Sequence, residues 1–507
     1  MEMSKLSKNI FYNLTGQSLL LILGFVAVKV VFKQLGEDAL GILYFTLTLN
    51  VLLTNVLGMG ICETTVREVS AHFKTEPGYI RDLLRTASLC YWGAYLLFAI
   101  AIYCGAPMLV ERWIHLENLD AGTAIKVLRI LGISSFVALP RSFYTSILRG
   151  VERMEFTNFI DVSASALQQF GTIAILLWGG GLLQVVYWMS ACYGLAVVAY
   201  WLACAHFFSW SSLRPGFSFS VIPRNFTFTS HMALISLLVM IHTQLDKVMV
   251  SKLLPIGLFG MYTVAYGAVS RTTMMTSAVS QAAFPNLSAL FKSGDRASLM
   301  AQYHKLQDLI CFATVPLFAA VLFAARPLFT YLFNPDGAKT LQLPFAFLCV
   351  GFYMNGTLTT PYVFSLAAGR PDIAARMNLY ALVVVLPVTG ALIYFFGLNG
   401  AGLSWVFYHL FAYAYQVPRI CSECLGIPTW KWYRQILRIL MSTGLTYGTA
   451  WAVLDLERAD SGVFLILAYA AASAGFLAAG YVMIGDELRS SFEGLVRNCR
   501  AKYAEEF

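Results

Sequence analysis

The chain has 507 residues, of which 58% are apolar or aromatic and only 12% are charged, and its formal net charge is +8. Soluble domains carry about 25% charged residues, so this composition excludes a water-soluble fold. The apolar residues suffice for about 14 membrane spans of roughly 20 residues each, and no soluble catalytic domain of about 100 residues remains. We therefore expect an all-α integral membrane protein.

Hydropathy and length predict fourteen helices. In chain order they lie at residues 9–32, 39–61, 86–107, 124–147, 157–178, 183–206, 227–252, 256–281, 307–330, 341–366, 376–396, 401–420, 435–454 and 461–484. The segments 62–85 and 207–226 mix charged with apolar residues, which predicts interfacial helices on the cytoplasmic leaflet.

The distribution of Lys and Arg between the two sides of the membrane predicts the orientation. With the N-terminus inside, the inner segments hold 23 Lys and Arg residues and the outer segments hold 5. Cytoplasmic loops are enriched in these residues, so both termini are expected in the cytoplasm. The positive charge is thus a topology signal, and no nucleic-acid partner is expected.

The chain matches itself at an offset of 219 residues. The matched pairs, which lie at turns between helices, are Lys33 with Lys252, Leu35 with Leu254, Gly41 with Gly260, Gly150 with Gly369 and Gly181 with Gly400. Glycine permits tight backbone at turns, where repeats preserve identity. This predicts two six-helix lobes, residues 1–226 and 227–430, that are related by an axis along the membrane normal and enclose a cavity. Residues 431–507 would add helices 13 and 14 and a cytoplasmic tail.

Several motifs resemble polysaccharide transporters of the Wzx type. They are the opening Asn13–Gly41, Leu148-Arg149-Gly150 with Asn158, Asp246-Lys247-Val248-Met249-Val250, Ala368-Gly369-Arg370, and Phe396-Gly397-Leu398-Asn399-Gly400-Ala401-Gly402. Together they reach across all twelve repeat helices. That family belongs to the multidrug/oligosaccharidyl-lipid/polysaccharide exporter superfamily, whose architecture is MATE-like.

The resemblance implies a transporter, not an enzyme. Such a flippase moves an undecaprenyl-pyrophosphate-linked oligosaccharide (an O-antigen, capsule or exopolysaccharide repeat unit) across the bacterial cytoplasmic (inner) membrane by alternating access. The expected partners are this polyprenyl-pyrophosphate-linked glycan and membrane lipids, and the polymerase and chain-length machinery of the pathway are further candidates. No cofactor or metal is expected. The motifs GxxxxGK[ST], GxSxG and HExxH are absent from the sequence, so ATP hydrolysis, serine hydrolysis and zinc peptidase chemistry have no support in it.

Apart from the 23 inner and 5 outer Lys and Arg residues, seven of the 35 cations remain inside the predicted spans, against three carboxylates. The cations are Lys29, Lys126, Arg129, Arg141, Lys247, Arg271 and Arg326, and the carboxylates are Asp161, Asp246 and Asp308. A charge at the bilayer centre costs about 2.5 kcal/mol or more, so cations far from helix ends should line a wet cavity or pair with acids. We predict that Arg271, Arg141, Lys29 and Lys247 hold the pyrophosphate, with a kink at Pro140 widening the cavity beside Arg141.

Helix seven places His231, His242 and Asp246 on one face, at helical spacing. Two interpretations remain open. The imidazoles and the carboxylate could relay or sense protons, since histidine titrates near neutrality. Alternatively, the histidines are helix-contact residues and Asp246 balances the charge of Lys247 or Arg271.

Two other functions compete with the flippase. A proton- or sodium-coupled drug antiporter of the same superfamily would use Asp246, but cationic drugs require a more acidic cavity than seven cations and three acids provide. A membrane glycosyltransferase would use Glu37 and Asp38 as its acidic pair, although the outer loop that carries them has only about six residues.

Overall fold

The computed structural model describes residues 5–456, 462–483 and 489. Side chains of residues 5–18, 55–59 and 281–282, and of several residues between 227 and 239 and at the ends of the last helices, lie outside the described part. Helices make up almost all of the described chain, and eight of its helical segments are long and apolar enough to cross a membrane by length and composition. The all-α membrane fold is confirmed.

Seventeen α-helices follow one another in the described chain. They are α1 Lys5–Leu35, α2 Glu37–His72, α3 Pro77–Arg112, α4 Ala121–Ser135, α5 Ala138–Gly150, α6 Met154–Leu177, α7 Leu182–Phe207, α8 Trp210–Leu213, α9 Val221–Leu253, α10 Ile256–Ser270, α11 Thr273–Ser293, α12 Arg296–Ala367, α13 Asp372–Phe396, α14 Leu398–Arg419, α15 Thr429–Thr443, α16 Thr449–Leu456 and α17 Gly462–Met483. Two π-helical segments, Ile420–Leu425 and Gly444–Gly448, lie around α15.

The prediction of interfacial helices at residues 62–85 is wrong. Helices α2 and α3 each run for 36 residues, and only a short turn separates them. At about 1.5 Å per residue each is about 54 Å long, which exceeds the roughly 30 Å hydrocarbon core. The charged residues of this segment therefore lie on continuations of spanning helices. In 207–226 the structure has only the four-residue helix α8, an extended stretch and the start of α9.

Two predicted spans are broken and one observed helix is bent. The span 124–147 breaks at Phe136–Val137, so Pro140 lies in the first turn of α5, where its missing N–H costs nothing. The span 256–281 breaks at Arg271–Thr272. Helix α12 bends at Asn334, whose φ is 74° and whose Oδ1 accepts the backbone N–H groups of Asp336 and Gly337. This cap separates the predicted spans 307–330 and 341–366.

The chain divides into two compact units at other positions than the predicted boundaries. Unit 1 contains Met1–Thr263 with Tyr331–Phe333, and unit 2 contains Val264–Thr330 with Asn334–Phe507. Helix α9, which the repeat assigns to the second lobe, belongs to unit 1 because it packs against α2. Its Thr229 hydroxyl lies 2.7 Å from that of Thr64.

Within unit 1, α2 and the start of α10 meet at two glycines that are repeat equivalents. A Cβ on Gly41 would lie 2.1 Å from the Ile256 carbonyl oxygen, and a Cβ on Gly260 would lie 2.8 Å from the Gly41 Cα. A twofold axis brings equivalent positions into contact where it passes between them. The contact between Gly41 and Gly260 therefore supports the predicted internal repeat.

A second pair of contacts in unit 1 follows the same offset. At the end of α1, the Phe32 ring lies 5.1 Å from the ring of Phe333. At the position 219 residues further along, Ser251 accepts a 3.1 Å hydrogen bond from the Trp113 indole. Segment 331–333 is likewise 219 residues beyond 112–114. Equivalent helix ends thus use equivalent contact segments.

Unit 2 also relies on glycines for close packing. A Cβ on Gly400 of α14 would lie 1.9 Å from the carbonyl oxygen of Leu392 in α13, and one on Gly402 would lie 2.5 Å from that of Pro344. On the predicted cytoplasmic side, Arg370 bonds Asp372 at 2.8 Å and also pairs with Glu423. This pairing ties the turn before α13 to the first π-helical segment.

We expect Gly41→Ala to destabilise the protein by about 1–3 kcal/mol, because the added methyl group overlaps the Ile256 carbonyl and forces α10 away. The thermal midpoint of the purified protein in detergent should fall by several degrees. The matched control is Gly105→Ala in α3, where a Cβ meets no atom within 4 Å and alanine favours the helix. Equal midpoints for the two variants would contradict the close contact.

Candidate functional site

Asp246 and Lys247 form a buried ion pair in α9. Their residues are 3% and 4% exposed, and the Lys247 Nζ lies 3.6 Å from the Asp246 Oδ1. The other carboxylate oxygen accepts a 2.7 Å hydrogen bond from the Tyr262 hydroxyl of α10, and Nζ donates to the Thr243 carbonyl at 2.9 Å. A buried charge is tolerated when it is paired and hydrogen-bonded, as both charges are here. Asp246 therefore balances the charge of Lys247.

Lys29 of α1 has an aromatic partner. Its Nζ lies 3.3 Å from the centroid of the Tyr331 ring, within unit 1. The ring face attracts the ammonium group electrostatically, but it does not neutralise the charge. Among the described residues no carboxylate forms an ion pair with Lys29. Within the described chain, this half-buried cation therefore has an aromatic ring beside it and no acid.

Arg141 is paired with an acid on the neighbouring helix. Its Nη2 donates to the Asp161 Oδ1 of α6, which also accepts a 2.6 Å hydrogen bond from the Tyr200 hydroxyl of α7. The Arg141 and Asp161 side chains are 30% and 42% exposed. The cluster therefore joins α5, α6 and α7 while part of the guanidinium remains accessible.

Arg271 lies in unit 2, in the break between α10 and α11. The residue is exposed, and its side chain forms no hydrogen bond or ion pair with the described residues. The break is about 15 residues from the start of α10, or about 22 Å along a helix. Arg271 is thus an exposed cation far from the start of α10, and it is available to an anion.

Of the two histidines predicted on one face of α9, the structure describes the side chain of His242 but not that of His231. His231 lies in the helix, but its side chain is outside the described part. His242 is half-buried, one turn before Asp246. The proton-relay interpretation of these residues stays a prediction.

Asp38, the proposed partner of Glu37 in a glycosyltransferase, has a structural role. It is 4% exposed, and its Oδ2 accepts the backbone N–H groups of Glu117, Asn118 and Leu119 at 2.6–3.0 Å. Three such bonds to one oxygen anchor the segment between α3 and α4 on the start of α2. A buried carboxylate engaged in this way is not free for general acid or base work.

Sequence reasoning missed a polar network at the predicted cytoplasmic ends of α2, α3 and α9. The buried Glu68 accepts hydrogen bonds from Arg67 at 2.6 Å and from the Tyr79 hydroxyl at 2.9 Å, and it lies 3.6 Å from Arg224. Arg224 also donates to Glu76 at 2.9 Å, and this hydrogen bond lowers the pKa of the Glu76 carboxyl. The network connects helices that are distant in sequence, so no local sequence motif indicates it.

A buried histidine in unit 2 was also missed. The ring nitrogen Nδ1 of His409 lies 2.7 Å from the Trp405 carbonyl oxygen, to which it must donate, so Nε2 accepts the Asn355 amide at 3.1 Å. Both ring nitrogens are used in a neutral tautomer, and the ring stacks on Trp405. His409 is therefore a satisfied core residue.

Of the four cations predicted to bind pyrophosphate, two are paired with acids and two are not. Lys247 pairs with Asp246, and Arg141 pairs with Asp161. In the part of the chain that the structure describes, Lys29 and Arg271 have no acid partner.

The family described as "Polysaccharide biosynthesis protein" matches residues 30–335, which is more than half of the chain. A protein of Shigella flexneri named "Putative O-antigen transporter" is 22% identical over 411 residues. The match covers 78% of this chain and 93% of that protein.

Two solved structures share the fold. The lipid II flippase MurJ in an inward closed conformation has a TM-score of 0.71 and 13% identity, with coverage of 93% of this chain and 98% of that chain. An inward-facing MATE family multidrug resistance transporter of the MOP superfamily has a TM-score of 0.66 and 13% identity, with coverage of 80% and 94%. The predicted MATE-like architecture is confirmed.

We expect Asp246→Asn to cost about 3–5 kcal/mol of folding stability, because it leaves the Lys247 ammonium buried without a charge partner. The double variant Asp246→Asn/Lys247→Met should recover most of this loss. Thermal midpoints of the purified variants measure the effect, and Lys33→Met at the exposed end of α1 is the control. A double variant no more stable than the single one would contradict the pairing.

Proposed function

The chain belongs to the polysaccharide biosynthesis protein family, and we propose that it acts as a flippase for an undecaprenyl-pyrophosphate-linked oligosaccharide. The cargo would be the repeat unit of an O-antigen, capsule or exopolysaccharide. It would cross from the cytoplasmic to the outer leaflet by alternating access. The Shigella relative is named as an O-antigen transporter and the MurJ structure as a lipid II flippase, which supports this class of substrate.

The observation that carries the proposal is the presence of two cations that have no acid partner among the described residues. Lys29 lies against the Tyr331 ring, and Arg271 is exposed at a helix break. Keeping a charge inside a membrane protein is expensive, so its retention favours a function. A pyrophosphate brings negative charges and acceptor oxygens that both an ammonium and a guanidinium bind through charge-assisted hydrogen bonds.

Arg141 remains in the proposed set of phosphate ligands, and Lys247 does not. The bond from Arg141 to Asp161 uses Nη2, and the side chain is 30% exposed, so other N–H groups of the fork can reach an anion. Lys247 is 4% exposed, and its charge is balanced by Asp246. Releasing it to a ligand would leave a buried carboxylate unpaired.

The protein is a multi-pass membrane protein of a transporter family. We propose that it resides in the bacterial cytoplasmic membrane with both termini in the cytoplasm, which the excess of Lys and Arg in the predicted inner segments supports. The polymerase and chain-length machinery of the same pathway are its proposed partners, because they use the glycan after translocation.

The geometry of the acids disfavours the drug antiporter. A cationic drug requires a carboxylate that is free to exchange between drug and coupling ion. Asp246 is bound by Lys247 and Tyr262, and Asp161 is bound by Arg141 and Tyr200. Both mid-span carboxylates are thus already committed to protein cations.

We expect Arg271→Ala and Lys29→Ala each to reduce polymer export at least about tenfold, since one charge-assisted hydrogen bond contributes about 1.5–3 kcal/mol. The lipid-linked glycan should accumulate in a deletion strain that carries either variant, and Arg271→Lys should restore part of the export. Surface polymer and extracted lipid-linked glycan are the two readouts.

The matched controls are Lys33→Ala and Lys339→Ala, which remove exposed cations at predicted outer helix ends. These variants should export normally at equal membrane abundance. Normal export by Arg271→Ala would remove that residue from the site, and equal losses in the controls would show a general charge effect.

A further inference from the structure

A small apolar slot opens on the surface of unit 1, separate from the cations discussed above. Its volume is about 250 Å³, and it lies between α3, α5, α7 and the segment after α8. Its lining includes Trp92, Tyr144, Val198, Trp201 and Arg214. This volume is below the roughly 300–1,000 Å³ of pockets that hold whole small molecules, so the slot suits part of a longer ligand.

The slot has firm walls and one unused donor. The Trp92 indole donates a 3.1 Å hydrogen bond to the Tyr144 hydroxyl, which fixes both rings. Tyr144 is 1% exposed, and within the described chain its hydroxyl proton has no acceptor. A hydroxyl both donates and accepts, so this group has a donor available for a bound molecule.

One arginine lines the slot, and a second lies against the segment that carries the first. Arg214 forms part of the lining, and the guanidinium of Arg85 lies against Gly216, where a Cβ would be 2.6 Å from its Nη2. Neither side chain forms an ion pair with the residues that the structure describes, and Nε of Arg85 is buried without a hydrogen-bond partner. Two cations that have no acid partner in the described chain favour an anion beside this segment.

The segment after α8 is held in place by hydrogen bonds to α3. The Gly216 N–H donates to the Arg85 carbonyl at 3.1 Å, and the Ser88 hydroxyl donates to the Leu213 carbonyl at 2.9 Å. The Ser218 N–H donates to the Thr86 hydroxyl at 3.2 Å. The segment that carries Arg214 is therefore fixed against the helix that carries Arg85.

The slot opens on the exposed surface of α3 and α7, near the predicted cytoplasmic boundary of the membrane. Val198 is 50% exposed, and Leu96 and Leu202 beside it on α3 and α7 are exposed as well. Arg85 precedes Trp92 by seven residues, or about 10 Å along α3. Since the predicted span begins at residue 86, we expect the two arginines at headgroup level and the slot on the hydrocarbon side of them.

We propose that this slot binds an anionic phospholipid of the inner leaflet. The headgroup phosphate would accept hydrogen bonds from Arg214 and Arg85, and part of one acyl chain would lie between Trp92, Val198 and Trp201. A cytoplasmic leaflet rich in anionic lipid supplies such a ligand, and basic residues at its surface attract it. The site does not depend on the proposed transport function.

The test uses the purified full-length protein and native mass spectrometry with dioleoylphosphatidylglycerol and dioleoylphosphatidylcholine. The wild type should retain phosphatidylglycerol in preference to phosphatidylcholine. Arg214→Gln should weaken the retention of phosphatidylglycerol at least tenfold. Val198→Trp, which fills the slot from an exposed position, should weaken it as well. The matched control is Arg81→Gln, which removes an exposed cation one turn before Arg85 on α3. This variant should keep the preference for phosphatidylglycerol.

Competition arms separate the possible sources of the phosphate. Glycerol phosphate carries the headgroup charge without a chain, so it should compete at least tenfold less well than the lipid. Polyprenyl phosphate should likewise not displace phosphatidylglycerol at equal concentration. The proposal is overturned if Arg214→Gln and Val198→Trp keep the preference, if Arg81→Gln loses it equally, or if either competitor binds as tightly as the lipid.

Discussion

Placing a charge in the hydrocarbon of a membrane costs several kcal/mol, and this cost explains the positions of the charged side chains. Lys247 and Arg141 each form an ion pair with a carboxylate, which offsets this cost. Each carboxylate also accepts a hydrogen bond from a tyrosine hydroxyl. For Lys29 the face of Tyr331 offsets part of this cost. Arg271 lies exposed where its helix is interrupted. Neither of these last two cations has an acid partner in the described part of the chain, and an anionic substrate would supply the counter-charge.

The internal repeat determines which of these groups unit 1 brings together. Gly41 and Gly260 allow α2 and α10 to touch at equivalent positions, and the ends of α1 and α9 use equivalent contact segments. The end of α1 carries Lys29, and α9 carries Asp246 and Lys247. On the predicted repeat, Lys29 and Lys247 have similar positions but different partners, since Lys247 has an acid and Lys29 has a ring.

The fold was predictable from the sequence because membrane spans require long apolar segments and turns require glycine. All fourteen predicted spans fall on helical segments of the described chain, but their ends differ. Helix α2 ends at residue 72 instead of 61, α3 begins at residue 77 instead of 86, α12 carries two spans, and the spans 124–147 and 256–281 are broken. The break at Phe136–Val137 is where Pro140 removes the helical hydrogen bond to the Phe136 carbonyl, so the kink predicted from this proline has a visible signal. The break at Arg271 was not predictable, because residues 268–274 contain no proline or glycine. The partners of the cations escaped prediction for another reason: Asp161, Tyr262 and Tyr331 come from other helices, so sequence spacing shows only that Lys247 adjoins Asp246.

The central claim is that the protein moves a lipid it recognises by a pyrophosphate. The most direct measurement reconstitutes the purified protein into vesicles and follows the leaflet of two lipids with the same glycan, one linked through polyprenyl pyrophosphate and the other to a neutral lipid. We predict that the pyrophosphate-linked glycan changes leaflet much faster than in protein-free vesicles, whereas the neutral one does not. Equal rates for the two lipids, or no movement of either, would contradict the account.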